Sequence, residues 1–251
     1  MHFDVADKMT KVFKTFCSLV LMTCYLRGSQ IRAQQRPVST KVAVTRAGAN
    51  KAPDPSNVAI WLVPLDHSGV AVPLSSKSTN PPQLLQRNKT FEPHVLIVAL
   101  GTMVEFPNQD PFFHNIFSLY DGRRFDLGLY ESGTKRSVKF DRPGVSFLFC
   151  NIHAEMSAVV LSVDTPYFAL SDRNGNVTIR DVPDGRYQMH VWYERSAPEQ
   201  LQELTRVVVI SDTSRNLGML HLVEMPNFTL AHKNKYGLDY VPPPNPDYDH
   251  P

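Results

Sequence analysis

The chain has 251 residues, 42% hydrophobic and 20% charged, which is enough to build one or two packed cores. With 26 Lys and Arg against 24 Asp and Glu the formal net charge is only +2. That near balance, with no Lys/Arg cluster interleaved with aromatics, does not indicate a nucleic-acid binder, and 20 prolines against 12 glycines fit a loop-rich β protein better than a helical one.

Residues 1–33 read as a secretory signal peptide. Lys8, Lys11 and Lys14 precede an apolar run over 15–26 that is too short to span a bilayer, and Ala33 offers a small residue at the cut. An uncleaved anchor is the alternative. Leu21-Met22-Thr23-Cys24 is a poor lipidation motif, because Thr stands where Gly or Ala is expected. A signal implies a periplasmic or secreted protein with no membrane span in the mature chain. Cys17 and Cys24 fall inside this segment, so the mature chain keeps Cys150 alone, without an internal disulfide. A lone thiol in an oxidising compartment calls for burial or a metal.

Further along, 34–41 reads as polar and frayed, and 57–63 as a first buried strand. Short runs rich in Val, Ile, Leu and Phe follow at 94–100, 102–106, 115–119, 135–140, 145–150 and 157–163. Gly101, Pro107-Asn108, Asp121-Gly122 and Pro143-Gly144 punctuate them. Such runs with turn signals between them predict a β-sandwich or Greek-key barrel. No amphipathic helix is legible.

A second unit begins after Thr165-Pro166. Strands are expected at 167–170, 177–179, 186–194, 204–210 and 217–223. Asp172-Arg-Asn-Gly175 suits a hairpin turn, and Val182-Pro-Asp-Gly185 makes a second turn. The predicted unit is a small antiparallel β-sandwich over 165–225. The tail, 226–251, contains Pro242-Pro-Pro-Asn-Pro246 and reads as extended, without a core of its own.

The heptapeptide Cys150-Asn-Ile-His153-Ala-Glu-Met156 carries the chemistry. It follows the apolar run 145–149, so Cys150 stands at a strand end and the next six residues form a tight loop. Thiolate, imidazole and thioether are soft ligands that suit copper, and two His with one Cys in a plane and a distant Met is the blue-copper arrangement. His114 supplies the second imidazole, 36 positions earlier, with room for intervening strands that bring the two together in a sandwich. Zinc is the chief competitor, but structural zinc sites favour more Cys or His and rarely use Met.

These residues resemble a cupredoxin (plastocyanin-like) domain. The matching features are Phe91-Glu-Pro93, Gly101 before a strand ending Phe106-Pro-Asn108, the pair His114-Asn115, Pro143-Gly144, and Cys-x2-His-x2-Met with the short loop spacing of amicyanin. The likeness runs over 91–163 and extends to a domain of 38–164 if the first strands open it. It implies an all-β cupredoxin Greek-key sandwich holding one type 1 copper. By the same analogy Asn115 bonds across to the ligand loop and holds it. The second unit resembles carboxypeptidase-regulatory-like or transthyretin-like β modules through its two turns, a signal of low specificity.

The resemblance implies one-electron transfer with a redox partner protein. The alternative is a copper-binding or delivery protein that hands the ion to a transfer partner, or a copper-sensing adhesion module without an electron-transfer role. No His-x-His motif of multicopper enzymes, hydrolytic triad or phosphate loop is present, so an enzyme is not expected. Phe112, Phe113, Phe147 and Phe149 are expected to keep water from the metal. Glu155 either tunes the site or is a solvated loop carboxylate. Trp192 and Tyr193 either pack their strand or line a face for a glycan or protein ligand.

Overall fold

Alternation of buried and exposed positions builds most of the strands. In β1 (Val38–Thr45), Val38, Thr40, Val42 and Val44 point inward while the residues between them do not. The frayed start expected over 34–41 is therefore a strand from Val38 onward, with Val38 only 1% exposed. The computed structural model describes residues 36–48, 52–66, 80–119, 121–226, 228–229 and 232–240. The expected signal segment and the tail beyond residue 240 lie outside these.

The remaining elements are β2 (Ala59–Pro64), β3 (Leu85–Arg87), β4 (Thr90–Glu92), β5 (Val95–Ala99), β6 (Thr102–Pro107), β7 (His114–Ser118), β8 (Phe125–Tyr130), β9 (Lys135–Phe140), β10 (Gly144–Phe149), β11 (Ser157–Val163), β12 (Phe168–Leu170), β13 (Asn176–Ile179), β14 (Gly185–Trp192), the short helix α1 (Pro198–Leu204), β15 (Arg206–Ile210) and β16 (Asn216–Val223). The all-β class stands, and α1 is an addition to it. Its Leu201 and Leu204 lean on the second core, and Leu204 ends the helix where a strand start is expected.

The strands form a five-stranded sheet β5-β11-β10-β7-β8, a four-stranded sheet β12-β2-β14-β15, a three-stranded sheet β13-β1-β16 and two pairs, β3-β4 and β6-β9. Inner residues of the five-stranded sheet (Ile116, Leu148, Val160) meet Val104, Phe106, Val138 and Phe140 of β6 and β9 in one core. A second core lies between the three- and four-stranded sheets, with Val42, Ile179 and Leu222 facing Ile60, Leu62 and Met189.

Three expectations need correction. First, β1 and β2, read as the opening of a domain at 38–164, belong to the second core with β12 to β16. The first sandwich is thus 84–163, inserted between β2 and β12. Alternation shows which face a strand buries, not which sheet it joins. Second, the second sandwich is mixed rather than antiparallel, because β1 runs parallel to β16 while pairing antiparallel with β13. Third, Asp172–Gly175 does not close a hairpin. β12 pairs with β2 and β13 with β1, so the turn is a corner between sheets. Gly175 has φ +76°, and a Cβ there would lie 2.2 Å from the Val42 carbonyl oxygen, so only glycine fits this corner.

β11 joins the two sandwiches. All but its first residue is buried, with Ala158 and Val160 in the first core and Val159 and Leu161 in a third cluster against Ala59, Trp61 and Trp192. A strand covered on both faces reads as a continuous apolar run, as 157–163 does. Trp192 is thus packed between sheets and Tyr193 is 5% exposed in the second core.

Candidate metal centre

β7 lies between β10 and β8, and all five of its residues are buried. Phe149 at the end of β10 faces Phe117 in antiparallel register. That register carries the C-terminal end of β10 towards the first residue of β7, His114. Cys150 follows β10 directly. The Cys150 amide donates to the Met156 carbonyl at 3.1 Å, closing the loop, and the Met156 amide donates to the His153 carbonyl at 3.1 Å, making a turn inside it.

The Cys150 Sγ lies 3.7 Å from His114 Nδ1 and 3.6 Å from His153 Nδ1. The three donor atoms all fall within 4.8 Å of one another. A thiolate and an imidazole about 2.0–2.3 Å from one ion and about 120° apart would be spaced roughly 3.7 Å, so the two sulfur–nitrogen spacings fit a single shared ion. It is the one group of three or more His, Cys, Asp or Glu side chains able to hold a metal among the described residues. Met156 is fully buried in the same apolar cluster as Cys150. His114 and Cys150 are also fully buried, whereas His153 is half-buried.

Phe112 packs against both imidazoles, 5.2 Å from the His114 ring and 5.6 Å from that of His153. Of the four phenylalanines expected around the metal, it alone meets the rings of His114 and His153. Phe113 is 56% exposed, Phe147 packs in the cluster between the sheets, and Phe149 packs at a tilt against Phe117 and stacks on His232 of the tail. Glu155 is exposed, as a solvated loop carboxylate would be.

Asn115 does not reach the ligand loop. Its Nδ2 donates to Asp126 Oδ1 at 2.7 Å on β8, and its Oδ1 is buried without a partner. The loop is held from the tail instead. The Tyr240 hydroxyl donates to the Cys150 carbonyl at 2.5 Å, and the Lys235 amide donates to Asn151 Oδ1 at 3.0 Å. Lys235 Nζ also donates to Asp126 Oδ2 at 2.8 Å, so the Asn115 side chain connects to the loop through Asp126 and Lys235. The described part of the tail, expected to be extended, is thus docked on the site. Its composition gave no signal of that docking.

Asp110 was also missed, although it stands four positions before His114. Its Oδ2 lies 2.8 Å from His114 Nε2. Burial pushes the Asp110 carboxyl up, but hydrogen bonds from the Lys89 amide, the His114 ring and the Asn88 amide together bring it below the usual carboxylate range. Burial pulls His114 below the ordinary imidazole range against the opposing pull of Asp110. His94 bonds the Ser157 carbonyl through Nδ1 at 3.1 Å and Glu194 through Nε2 at 2.6 Å.

No family model and no curated protein matches the chain. Similar solved structures include a novel purple cupredoxin from Nitrosopumilus maritimus, at 22% identity and TM-score 0.30 over 33% of this chain and 99% of that one. A copper-containing nitrite reductase from Thermus scotoductus SA-01 is similar at 23% identity and TM-score 0.34, over 49% of this chain and 28% of the enzyme. The reduced Cu(I) form of an amicyanin variant is similar at 16% identity and TM-score 0.32, over 41% of this chain and 98% of that one. At these TM-scores none of them carries a function over to this chain.

Proposed function

We propose that the chain holds one type 1 copper and serves as a one-electron carrier in the periplasm or outside the cell. The observation that carries this reading is the spacing of the Cys150 thiol from two imidazole nitrogens, 3.6 and 3.7 Å, in a buried cluster that includes Met156. A thiolate with two imidazoles suits copper, and a weak thioether completes the blue-copper donor set. Copper bound there supplies exchange between the Cu(I) and Cu(II) states. Cys150, His114 and His153 would be the strong donors and Met156 the weak one.

Burial separates a carrier from a delivery protein. An ion passed to a partner needs donors that the partner can reach, yet His114, Cys150 and Met156 are all fully buried. Tyr240 and Lys235 further bind the loop from outside. Half-buried His153 leaves an edge of the site open for electron exchange with a partner protein. The same burial of His114, Cys150 and Met156 favours a carrier over an enzyme. Among the described residues no helix is long and apolar enough to cross a membrane.

The test is Cu(II) titration of the purified protein followed by visible spectroscopy and voltammetry. One equivalent is expected to give an intense thiolate-to-copper band that is lost in Cys150→Ser, with reversible one-electron reduction. A colourless complex, or an ion held only as Cu(I) and surrendered to a chelator within seconds, would sink the carrier reading.

A further inference from the structure

The two nitrogens of His114 have different neighbours. Nδ1 faces the Cys150 Sγ at 3.7 Å, while Nε2 lies 2.8 Å from Asp110 Oδ2. An ionised carboxylate only accepts hydrogen bonds, so Nε2 carries the ring proton and Nδ1 presents its lone pair to the donor cluster.

Asp110 is itself held on several sides. Its Oδ1 accepts from the Asn88 amide at 2.6 Å and its Oδ2 from the Lys89 amide at 3.0 Å. Asn88 and Lys89 form the turn between β3 and β4, with φ values of 53° and 56°. Two successive residues of positive φ make a tight hairpin turn, and here that turn aims both amides at one carboxylate. The Asp110 amide donates to Asn108 Oδ1 at 3.0 Å, and Asn108 Nδ2 donates to the Phe112 carbonyl at 2.8 Å. Asp110 is 4% exposed and Asn108 1%. The two hairpin amides and the imidazole thus share one buried carboxylate, while Asn108 holds the backbone amide of the residue that carries it.

We propose that Asp110 is a positioning residue that fixes the tautomer and orientation of His114 and, by its negative charge, strengthens that imidazole as a donor and lowers the reduction potential of the centre. This rests on the copper reading above. The charge effect follows from electrostatics: an anion hydrogen-bonded to the far nitrogen raises the basicity of the near one, and a stronger donor favours the more highly charged ion. The sequence reading gave this supporting role to Asn115, whose amide is turned to Asp126 instead.

The test compares the wild type with Asp110→Asn and Asp110→Glu in the full chain. Asn keeps the size and an acceptor oxygen but removes the charge. At a fixed applied potential the Cu(I)/Cu(II) ratio of Asp110→Asn is expected to rise about tenfold, a shift of about +59 mV for one electron, with the thiolate band retained. Asp110→Glu keeps the charge and should stay nearer the wild-type potential than Asp110→Asn. Equal potentials in the wild type and Asp110→Asn would overturn the charge role. A readout without copper decides the positioning role, namely the His114 ring nitrogen resonances of the apo protein. Nε2-protonated imidazole in the wild type, changing to mixed tautomers in Asp110→Ala, supports it; an unchanged tautomer overturns it. If the wild type gives no thiolate band, the copper reading fails and takes the potential claim with it, while the tautomer result stands separately.

Discussion

The hydroxyl of Tyr240 donates to the backbone carbonyl of Cys150 at 2.5 Å, tying the tail to the residue that carries the thiol. The two lie 90 positions apart. Burial, and then the nearby Cys150, push the Tyr240 phenol above the usual tyrosine range, so it stays protonated as a donor. Tyr240→Phe removes only this hydroxyl, and the loss should cost roughly 1 kcal/mol, the usual net worth of such a bond. Copper release to a chelator should also quicken, because the loop loses one of its outer ties. Stopped-flow release and thermal unfolding measure the two effects. Unchanged release would mean that the tail covers the loop without restraining it.

The His94–Glu194 pair makes part of the stability depend on pH. Hydrogen bonding to Glu194 raises the pKa of His94 above its ordinary 6.5, against desolvation, with the Glu194 charge and the Ser157 carbonyl adding to the rise and Arg195 opposing it. The folded state thus binds the His94 proton more tightly than the unfolded chain does. The contribution is fully present below the ordinary value and is lost as pH rises through the folded one. Denaturant midpoints at about pH 5.5 and about pH 8.5 bracket that window. Glu194→Gln should lower the midpoint more at the acidic pH than at the basic one. An equal loss at both would show that the charge of the pair does not matter.

Leu161 tests whether the two sandwiches unfold as one. It is 1% exposed and sits in the cluster between the sheets, on a strand whose other face lines the first core. Leu161→Ala should cost about 2–5 kcal/mol, as buried leucine truncations do. Because β11 serves both sides, near-UV and far-UV signals should melt together at a lowered midpoint. Two separated transitions would mean that the inserted sandwich folds independently of its host.

Asn115 gives a contrast with Asp110. Its amide bonds Asp126 rather than the loop, and its own oxygen has no partner. Asn115→Ala should cost roughly 1 kcal/mol for the lost hydrogen bond and leave the position of the thiolate band unchanged. A shifted band would restore the direct role that the sequence resemblance implied.

The proposed donor set is readable because Cys150, His153 and Met156 are close in sequence, and a strand followed by a tight loop leaves few ways to arrange them. His114 was legible from its strand and from the pair it forms with Asn115. What escaped depends on long-range placement. β1 and β2 look the same by alternation whether they join the first sandwich or the second, and only the register of β1 with β13 and β16 separates the cases. Asp172–Gly175 has the chemistry of a turn, but turn chemistry does not say whether the next strand stays in the same sheet. His232, Lys235 and Tyr240 lie in a segment whose composition shows only that it cannot fold alone. Asp110 was within reach, since a carboxylate four positions before a proposed ligand is a natural partner for its second nitrogen.

The central claim is that Cys150, His114 and His153 bind one copper together. X-ray absorption at the copper edge of the loaded protein measures this most directly. One sulfur and two imidazole nitrogens in the first shell, with the sulfur lost in Cys150→Ser, is the predicted result. A first shell of nitrogen and oxygen alone, unchanged by that substitution, would contradict it.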